Sequence, residues 1–491
     1  MFIDARTFEA GHTEQARTCI IGSGPAGMAL ARRLVEAGRE VLLLEAGGIE
    51  YDGASQDLYI GELSGFPYYD LDVARVRAFG GTSLLWGGMS RPLDAHDFLE
   101  KPLHPGISWP IGKDALDPYI DDACTVLGIE SGYEDLDFGD GLRMVDYRFS
   151  ARRFGDDWYE WAEAQTRLRV FVNSAVVNFL PGEGGIRAAE VVSGPQDGAL
   201  RWQVEADRFV LAAGGIENSR LLLWANEQNG GALVPASVPL GRYWMEHPEA
   251  LLGEAVLFDS TEALFTSEDI PTWRAGVGEL RFSLSVGLQA NEAVPNALIK
   301  VLEQAYPSNQ QLVADLACVA PGLGRRALQA LGRRLVCGVR VECMFEQGPR
   351  EENRVFLTDE RDWLGIPRVG LHWTVNDEDR QTVANTARYF AAELAAQDMG
   401  RMRLAPWVDD ASLPVGVNPD QPAHYHHMGG TRMGSDPASS VVDADLKVHG
   451  LDNLFVAGSS VFPTGGFVNP TMTIVQLSLR LGDHLIAQAE G

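Results

Sequence analysis

The sequence predicts an α/β fold in which a βαβ domain is joined to a second domain built on an antiparallel sheet. Three observations predict it: a strand, glycine turn, helix and strand open the chain, glycine turns recur at two later apolar strands, and the middle of the chain changes to alternating strands. The chain has 491 residues, about three domain-equivalents at roughly 150 residues each. A single small module is therefore excluded.

The opening βαβ unit carries the first motif. The strand RTCIIG runs into SGPAG, the helix MALARRLVEAG follows, and REVLLLEAGG forms a second buried strand. GxGxxG glycines placed in this way permit a tight turn, admit a pyrophosphate to the backbone and let the helix pack on the strand, while an acid after the second strand accepts a ribose hydroxyl. A glycine turn without a ligand is the alternative. The unit predicts a Rossmann-like dinucleotide site formed by Gly22, Gly24, Pro25, Ala26, Gly27, Glu45 and Ala46.

Later elements set the predicted domain bounds. We expect an amphipathic helix over 114–127, a strand pair over 167–180, a strand, glycine turn and helix over 207–225, a helix over 378–397 and a final helix over 471–488. Alternating strands such as LLGEAVLF and RVECMFEQ fill the middle of the chain. The nucleotide-binding domain is therefore predicted over 1–238 and 421–491, and the second, substrate-binding domain over 239–420, to which residues 51–110 can contribute.

Two further glycine clusters follow the first. Residues 80–88, GGTSLLWGG, frame hydroxyls and a tryptophan with four glycines, so the loop can lie flat against a planar ring. Taken alone, this motif is more often a tight structural loop. Ala213 and Gly214 close an apolar strand, where a second turn can pass close to a cofactor.

The C-terminal region brings three histidines in front of a glycine turn, in HYHHMGGTRMG at 424–434. A metal site is one interpretation, but no cysteine or HExxH partner accompanies them. In an extended segment His424 and His426 face one side and His427 the other. The apolar strand and turn LFVAGSSVFPT, followed by GGFVNPT opening the last helix, single out His427.

Charge and cysteine content bear on partners and compartment. Lys and Arg number 40 against 68 Asp and Glu, a net charge of −28, so nucleic acid is repelled and is not expected as a partner. Five cysteines without a CxxC pair favour a reducing cytoplasm. No secretion signal or membrane-spanning run is found, and the basic residues are mostly arginine. These features predict a soluble, cytoplasmic, bacterial protein with no membrane partner; they give no prediction of oligomeric state.

In their order along the chain, these motifs resemble the glucose-methanol-choline (GMC) oxidoreductases, flavoproteins that oxidise alcohols. The resemblance runs from about residue 18 to 484 and includes SWPI near Ser108, PLGRYWMEHP at 239–248 and ENRVFLTDE at 352–360. It is nearest to the pyranose oxidase and sugar-oxidising bacterial branch. It implies FAD, held by the opening turn and by Gly80, Gly81, Thr82, Ser83, Trp86, Gly87, Gly88, Val176 near the adenine, Ala213, Gly214, Gly458, Ser459, Asn469, Pro470 and Thr471.

The resemblance also implies catalytic roles. The HxxGT motif makes His427 the general base that removes the hydroxyl proton while a hydride passes to flavin N5, and Asn469 hydrogen-bonds the developing alkoxide. Family members with covalent flavin carry a histidine within the loop that corresponds to residues 80–88. At that place this chain has Leu84, Leu85 and Trp86. Non-covalent FAD is therefore expected.

The predicted reaction is oxidation of a hydroxyl of a sugar, aminosugar or glycoside, with oxygen or another electron acceptor. Two alternatives remain open at this point. A non-redox lyase on the same scaffold would leave the flavin oxidised with every substrate. A nicotinamide-dependent dehydrogenase would need only the first βαβ unit and would leave the C-terminal motifs unexplained.

Overall fold

The fold is organised around a mostly parallel sheet and a separate antiparallel sheet. A computed structural model describes residues 1–101, 104–257, 279–292, 294–303, 339–417 and 421–488. Cys318 and Cys337 lie outside these ranges, whereas Cys19, Cys124 and Cys343 are buried free thiols. The α/β class with an antiparallel second sheet, predicted from the sequence, is confirmed.

The strands have the following bounds: β1 Phe2–Asp4, β2 Thr13–Ile21, β3 Val41–Leu44, β4 Glu62–Gly65, β5 Met89–Ser90, β6 Leu136–Phe138, β7 Leu142–Met144, β8 Arg148–Phe149, β9 Leu168–Val172, β10 Ala175–Pro181, β11 Ile186–Ser193, β12 Leu200–Leu211, β13 Glu249–Leu257, β14 Glu279–Leu284, β15 Ala297–Glu303, β16 Val339–Phe345, β17 Arg354–Arg361, β18 Pro367–Trp373, β19 Gly400–Leu404 and β20 Leu454–Val456.

The α-helices have these bounds: α1 Pro25–Glu36, α2 Gly53–Gln56, α3 Ile120–Leu127, α4 Phe154–Asp157, α5 Tyr159–Ala164, α6 Glu217–Gln228, α7 Val286–Glu292, α8 Asp377–Ala396, α9 Pro406–Asp409 and α10 Thr471–Gln488. In the described part of the chain, no helix is long and apolar enough to cross a bilayer.

The main sheet has the order β1-β9-β3-β2-β12-β11-β10, and β20 also pairs with β12. The strands β1, β9, β3, β2, β12 and β20 run parallel, while β11 and β10 form an antiparallel extension. All four residues of β3 are buried, as expected for a strand covered on both faces. The carboxyl ends of β2, β3, β12 and β20 therefore meet along one edge, which is where ligands bind in such sheets.

Helix α1 covers this sheet and begins directly at the nucleotide turn. Pro25 occupies its first position, where the missing N–H costs nothing, and the apolar residues Met28, Leu30 and Leu34 are buried. The last helix, α10, packs against α1 so closely that a Cβ on Gly482 would lie 2.6 Å from the Arg33 side chain. Its bounds are those that the sequence predicts.

The antiparallel sheet has the order β19-β13-β16-β15-β14-β7-β6 and is covered by α8. Asn376 caps α8 and shares a capping box with Asp379, so the predicted helix over 378–397 begins one residue earlier. Strands β6 and β7 come from residues 136–144, before the predicted substrate-binding range; β7 pairs with β14, and β6 pairs with β7 at the edge of the sheet. The predicted domain bounds themselves stay a prediction.

The helix expected over 114–127 forms only in its second half. The chain makes short 3₁₀ turns at Lys113–Ala115 and Asp117–Tyr119 before α3 begins at Ile120. Pro118 explains the difference, because it lacks an N–H and its ring clashes with the preceding helical turn. The periodic pattern of apolar residues alone could not show this break.

Candidate active site

The first glycine turn joins β2 to α1 and is sterically closed to side chains. Gly22 has φ +109°, and a Cβ there would overlap the carbonyl of Ala212; a Cβ at Gly27 would overlap the carbonyl of Gly22. The predicted reasons for these two glycines, a tight turn and close packing of helix on strand, match this geometry.

Other glycines of the site face open space instead. Within the described ranges, no atom lies within 4 Å of a Cβ built on Gly24 or on Gly214. Gly24 is also the N-cap of α1, and no side chain caps this helix end. The free N–H groups of the first turn are thus available to an anion. These features fit the pyrophosphate of a dinucleotide.

Glu45 lies at the carboxyl end of β3 and is buried. One carboxylate oxygen accepts hydrogen bonds from the backbone and hydroxyl of Ser23, and the other accepts one from the Gly47 amide at 2.8 Å. Burial raises the pKa of Glu45, while these donors oppose the shift. The carboxylate therefore ties the first turn to the end of β3, and its contact with a ribose hydroxyl stays a prediction. Val176 is buried in β10, two residues beyond Ser174, whose amide donates to the Glu45 carbonyl at 2.8 Å.

The loop 80–88 lies against the first turn. The Gly80 amide donates to the Ser23 hydroxyl at 3.0 Å, and a Cβ on Gly81 would be 3.3 Å from the Cα of Gly24. The indole of Trp86 donates to the Arg152 carbonyl at 2.7 Å, and Leu85 is 70% exposed. The loop is thus placed beside the predicted pyrophosphate turn.

Asn218, which has no role in the predicted site, connects the turn at Ala213 and Gly214 to the turn at Gly458 and Ser459. Its side chain accepts from the Ala213 amide at 2.8 Å and donates to the Ala457 carbonyl at 3.0 Å and the Ser460 hydroxyl at 2.9 Å. Its position in ENSR at 217–220, one residue after the AAGG turn at 212–215, was the available signal. The Ser459 hydroxyl donates to the carbonyl of His427 at 2.6 Å, which joins the turn to the histidine segment.

The histidine segment places its two neighbouring imidazoles in different surroundings. The Nε2 of His426 lies 3.0 Å from the side-chain amide nitrogen of Asn469, whereas the Nε2 of His427 lies 3.0 Å from the Tyr68 hydroxyl. The rings of His424 and His426 are 5.8 Å apart, in line with the expectation that they face one side. The structure thus brings Asn469 together with His426; the role of His427 as general base stays a prediction.

Two further residues of this site lie in the MEHP segment, which the sequence analysis noted without giving it a role. Glu246 is buried and accepts hydrogen bonds from the Tyr68 hydroxyl at 2.6 Å and from the backbone amides of His247 and His426, each at 2.8 Å. The Nδ1 of His247 lies 2.9 Å from the Nδ1 of His426. Glu246 thus holds the backbone of both histidines, and their rings meet.

Burial controls the charge of these groups. It lowers the pKa of His427 to about 3, with Arg75 adding to the shift, lowers the pKa of His247 to about 4 and holds the pKa of His426 well below its usual value. Burial also raises the pKa of Glu246 to about 7, against the effect of its donors. The three imidazoles are therefore neutral near pH 7 and can act as hydrogen-bond acceptors.

The lowered pKa of His427 predicts a pH-dependent stability. The imidazole titrates near pH 6.5 in the unfolded chain and near pH 3 in the folded protein, so the unfolded state binds more protons between these values and stability falls as the pH drops. We expect this loss to reach about 2 kcal/mol at pH 5 relative to pH 7. His427→Gln removes it while keeping a polar group near Tyr68. Unfolding free energies of both proteins at pH 7 and pH 5 measure the difference, and a pH-independent difference contradicts the prediction.

Two buried polar atoms at the start of α10 fit an additional group. Among the described residues, neither the Asn469 side-chain oxygen nor the Thr473 hydroxyl has a hydrogen-bond partner. Buried polar atoms are normally paired, so a polar ligand at the N-terminal end of α10 would satisfy them. Together with the open backbone at Gly24 and Gly214, these atoms fit the flavin dinucleotide that the motifs imply.

Comparison with known proteins agrees with this assignment. A profile described as NAD(P)-binding Rossmann-like domain matches residues 20–49, which places the chain in the class of dinucleotide-binding proteins. A second profile, described as GMC oxidoreductase, matches residues 349–478. The resemblance to the GMC oxidoreductases that the motifs indicate is therefore confirmed.

Relatives of known activity are similar to the chain over different lengths. The fructose dehydrogenase large subunit of Gluconobacter japonicus is 30% identical over 58% of this chain, but the alignment spans only 48% of that protein. The 2-methyl-1,2-propanediol dehydrogenase of Mycolicibacterium austroafricanum is 25% identical over 96% of this chain and 95% of its own length. Paromamine 6'-oxidase of Streptomyces fradiae is 24% identical over 94% and 89%.

Among solved structures, pyridoxine 4-oxidase from Mesorbium loti superposes with a TM-score of 0.60 at 18% identity and covers 96% of this chain and 99% of its own. At this identity the superposition shows the shared fold.

Proposed function

We propose that this protein binds FAD without a covalent bond and oxidises a hydroxyl group of a sugar, aminosugar or glycoside. The observation that carries the proposal is the contact of His426 with Asn469, at the start of the helix where buried polar atoms lack partners. The glycine turns at the carboxyl ends of β2, β12 and β20 hold the dinucleotide. Bound there, FAD supplies the acceptor for a hydride.

His426 and Asn469 have different roles in the proposed reaction. His426 is neutral and accepts the proton of the substrate hydroxyl at Nε2, as a general base. The Asn469 side-chain amide donates a hydrogen bond to the oxygen on which negative charge develops. The HxxGT spacing selects His427 instead, but the ring of that residue faces Tyr68. We therefore assign proton transfer to His426 and treat His427 as the alternative.

A cluster of charged and polar side chains beside His426 supports a substrate with several hydroxyl groups. The Nε2 of His424, whose ring lies 5.8 Å from the His426 ring, is 2.9 Å from the Glu249 carboxylate, and Lys300 pairs with the same carboxylate. Charged hydrogen-bonding groups close to the reacting atoms favour sugars over apolar alcohols. The named activities of two of the relatives, on fructose and on paromamine, agree with this class.

Anaerobic mixing with candidate substrates tests the proposal. We expect sugars, aminosugars or glycosides to bleach the flavin absorbance more efficiently than short-chain diols do. A yellow protein whose flavin stays oxidised with every substrate would favour the lyase alternative. A colourless protein that reduces added NAD⁺ or NADP⁺ would favour the nicotinamide-dependent dehydrogenase.

The absence of a histidine from the loop 80–88 predicts that FAD dissociates when the protein is denatured. Leu85 stands where the linking histidine of covalent relatives would be, and an alkyl side chain cannot form that bond. Acid precipitation is expected to leave the yellow flavin in the supernatant. Flavin retained on the washed pellet would overturn non-covalent binding.

A further inference from the structure

A continuous chain of hydrogen-bonding groups runs through the two buried imidazoles behind the proposed base. The Nε2 of His247 lies 2.9 Å from the carbonyl oxygen of Gly466, the two Nδ1 atoms of His247 and His426 are 2.9 Å apart, and the Nε2 of His426 lies 3.0 Å from the Asn469 amide nitrogen. Each imidazole therefore has both nitrogens engaged. The chain ends on a carbonyl at one side and on an amide N–H group at the other.

These two ends determine where the protons lie. A carbonyl oxygen only accepts, so the Nε2 of His247 must carry hydrogen and its Nδ1, in the neutral ring, must hold a lone pair. That lone pair requires a donor, so the Nδ1 of His426 must carry hydrogen and its Nε2 must hold the lone pair. The amide nitrogen of Asn469 only donates, which demands the same state of His426. The Gly466 carbonyl and the Asn469 amide thus select the same arrangement, with hydrogen on Nε2 of His247 and on Nδ1 of His426.

We propose that His247 is a positioning residue that holds His426 in the Nδ1–H tautomer, so that the Nε2 lone pair faces Asn469 and the reacting hydroxyl. The proposal rests on the proposed function, in which His426 accepts the substrate proton. When His426 takes that proton at Nε2, its Nδ1–H keeps donating to His247, and no proton has to move on His247. The opposite tautomer would place the lone pairs of His247 Nε2 and the Gly466 carbonyl against each other.

The surroundings hold this arrangement in place. Glu246 accepts from the backbone amides of His247 and His426, and the Gly466 amide donates to Glu346 at 3.0 Å. Glu346 is paired with Lys101 at 3.3 Å. Buried carboxyl groups thus fix the backbone of both histidines and of Gly466.

Charged and titratable groups around the two rings bear on their protonation. His424, His427 and Lys300 disfavour a proton on His426, and His424 disfavours one on His247, whereas Glu346 favours it there. Burial is the largest cause of the lowered pKa of both rings, so His247 stays neutral above about pH 4. Near neutral pH both rings are therefore uncharged, and each has one protonated nitrogen and one lone pair.

Histidine-selective ¹⁵N labelling of the flavin-loaded protein tests the proposal without measuring activity. Long-range ¹H–¹⁵N correlation spectra distinguish protonated from unprotonated ring nitrogens, and the His426 signals are those missing from the spectrum of His426→Gln. We expect His426 to be the Nδ1–H tautomer between pH 6 and pH 8. An Nε2–H tautomer of His426 in the wild-type protein would overturn the proposal.

Two substitutions of His247 form a matched pair. In His247→Asn the amide oxygen takes the place of Nδ1 and can accept from His426, whereas in His247→Gln the amide reaches the Gly466 carbonyl and leaves no acceptor for His426. We expect His247→Asn to keep the Nδ1–H tautomer and a rate of flavin reduction near that of the wild type. We expect His247→Gln to show a mixture of tautomers and up to about 100-fold slower reduction, because a misplaced reacting group can cost a factor of this size, with unchanged FAD content.

Equal tautomer populations and equal rates in the two variants would contradict a positioning role. The outcome also separates this proposal from the proposed function. If His426 shows the expected tautomer and the matched variants differ in tautomer as expected, but His426→Ala reduces flavin at the wild-type rate, the positioning role of His247 stands and the assignment of His426 as base fails.

Discussion

His426→Ala is expected to reduce flavin about 10²- to 10⁴-fold more slowly than the wild-type protein, because a positioned general base contributes a factor of this size. Its ring contacts Asn469, and both nitrogens are engaged in the chain of groups that ends at Gly466. FAD content should stay normal, since the glycine turns that hold the dinucleotide are not changed. Anaerobic stopped-flow measurement of flavin absorbance with a reducing substrate gives the rate constant.

His427→Ala is the matched control for this prediction. The two residues are neighbours in sequence and both are about 8% exposed, so general damage from losing a buried imidazole should affect both variants in a similar way. We expect the rate constant of flavin reduction to fall much further in His426→Ala than in His427→Ala. If His427→Ala reduced flavin far more slowly than the wild type and His426→Ala reduced it at nearly the wild-type rate, His427 would be the base, as the HxxGT spacing predicts.

Arg220→Met is expected to destabilise the protein by about 3–5 kcal/mol, the usual cost of leaving a buried charge unpaired. Arg220 lies in α6 and donates to Asp362 at 2.6 Å, to Glu217 at 3.3 Å and to the Pro367 carbonyl at 2.9 Å. Its side chain is 4% exposed and that of Asp362 is fully buried. Removing it leaves the buried Asp362 carboxylate without its cation.

An exposed ion pair provides the control. Arg187 and Glu205 form a 3.1 Å pair whose side chains are 51% and 32% exposed, so Arg187→Met should change stability by at most about 1 kcal/mol. Denaturant unfolding, or apparent Tm at a fixed heating rate, compares the two variants. A similar loss in both would show that the Arg220 cluster contributes no more than a surface pair. Because α6 follows the turn at Gly214, a destabilised variant should also retain less FAD.

Local sequence was sufficient where neighbouring residues decide the structure. The spacing of Gly22, Gly24 and Gly27 after an apolar strand predicted the first turn, and the structure shows that side chains at the first and third glycines would overlap backbone carbonyls. Helix α10 was predicted at its actual bounds because its apolar period is undisturbed. The helix before residue 120 was overpredicted, since apolar periodicity outweighed the effect of Pro118.

The partner of each histidine depended on residues far away in the chain. Sequence alternation separated His427 from His424 and His426, but it could not tell which side would meet Asn469, 43 residues from His426. Tyr425 adopts a positive φ of 61° between these histidines, a backbone state that a side-chain pattern does not reveal. His247 lies 179 residues before His426, in the segment PLGRYWMEHP, to which the sequence assigned no function.

The sequence by itself therefore determined the glycine turns, the bounds of the long helices α8 and α10 to within one residue, the α/β class and the family resemblance, because these depend on short-range sterics and on motifs that follow one another along the chain. Only the tertiary structure decided which imidazole lies beside Asn469, and that the ring of His247 stands between His426 and the Gly466 carbonyl. The direction of a hydrogen bond depends on what lies at both of its ends, and here those ends come from segments that the fold alone brings together.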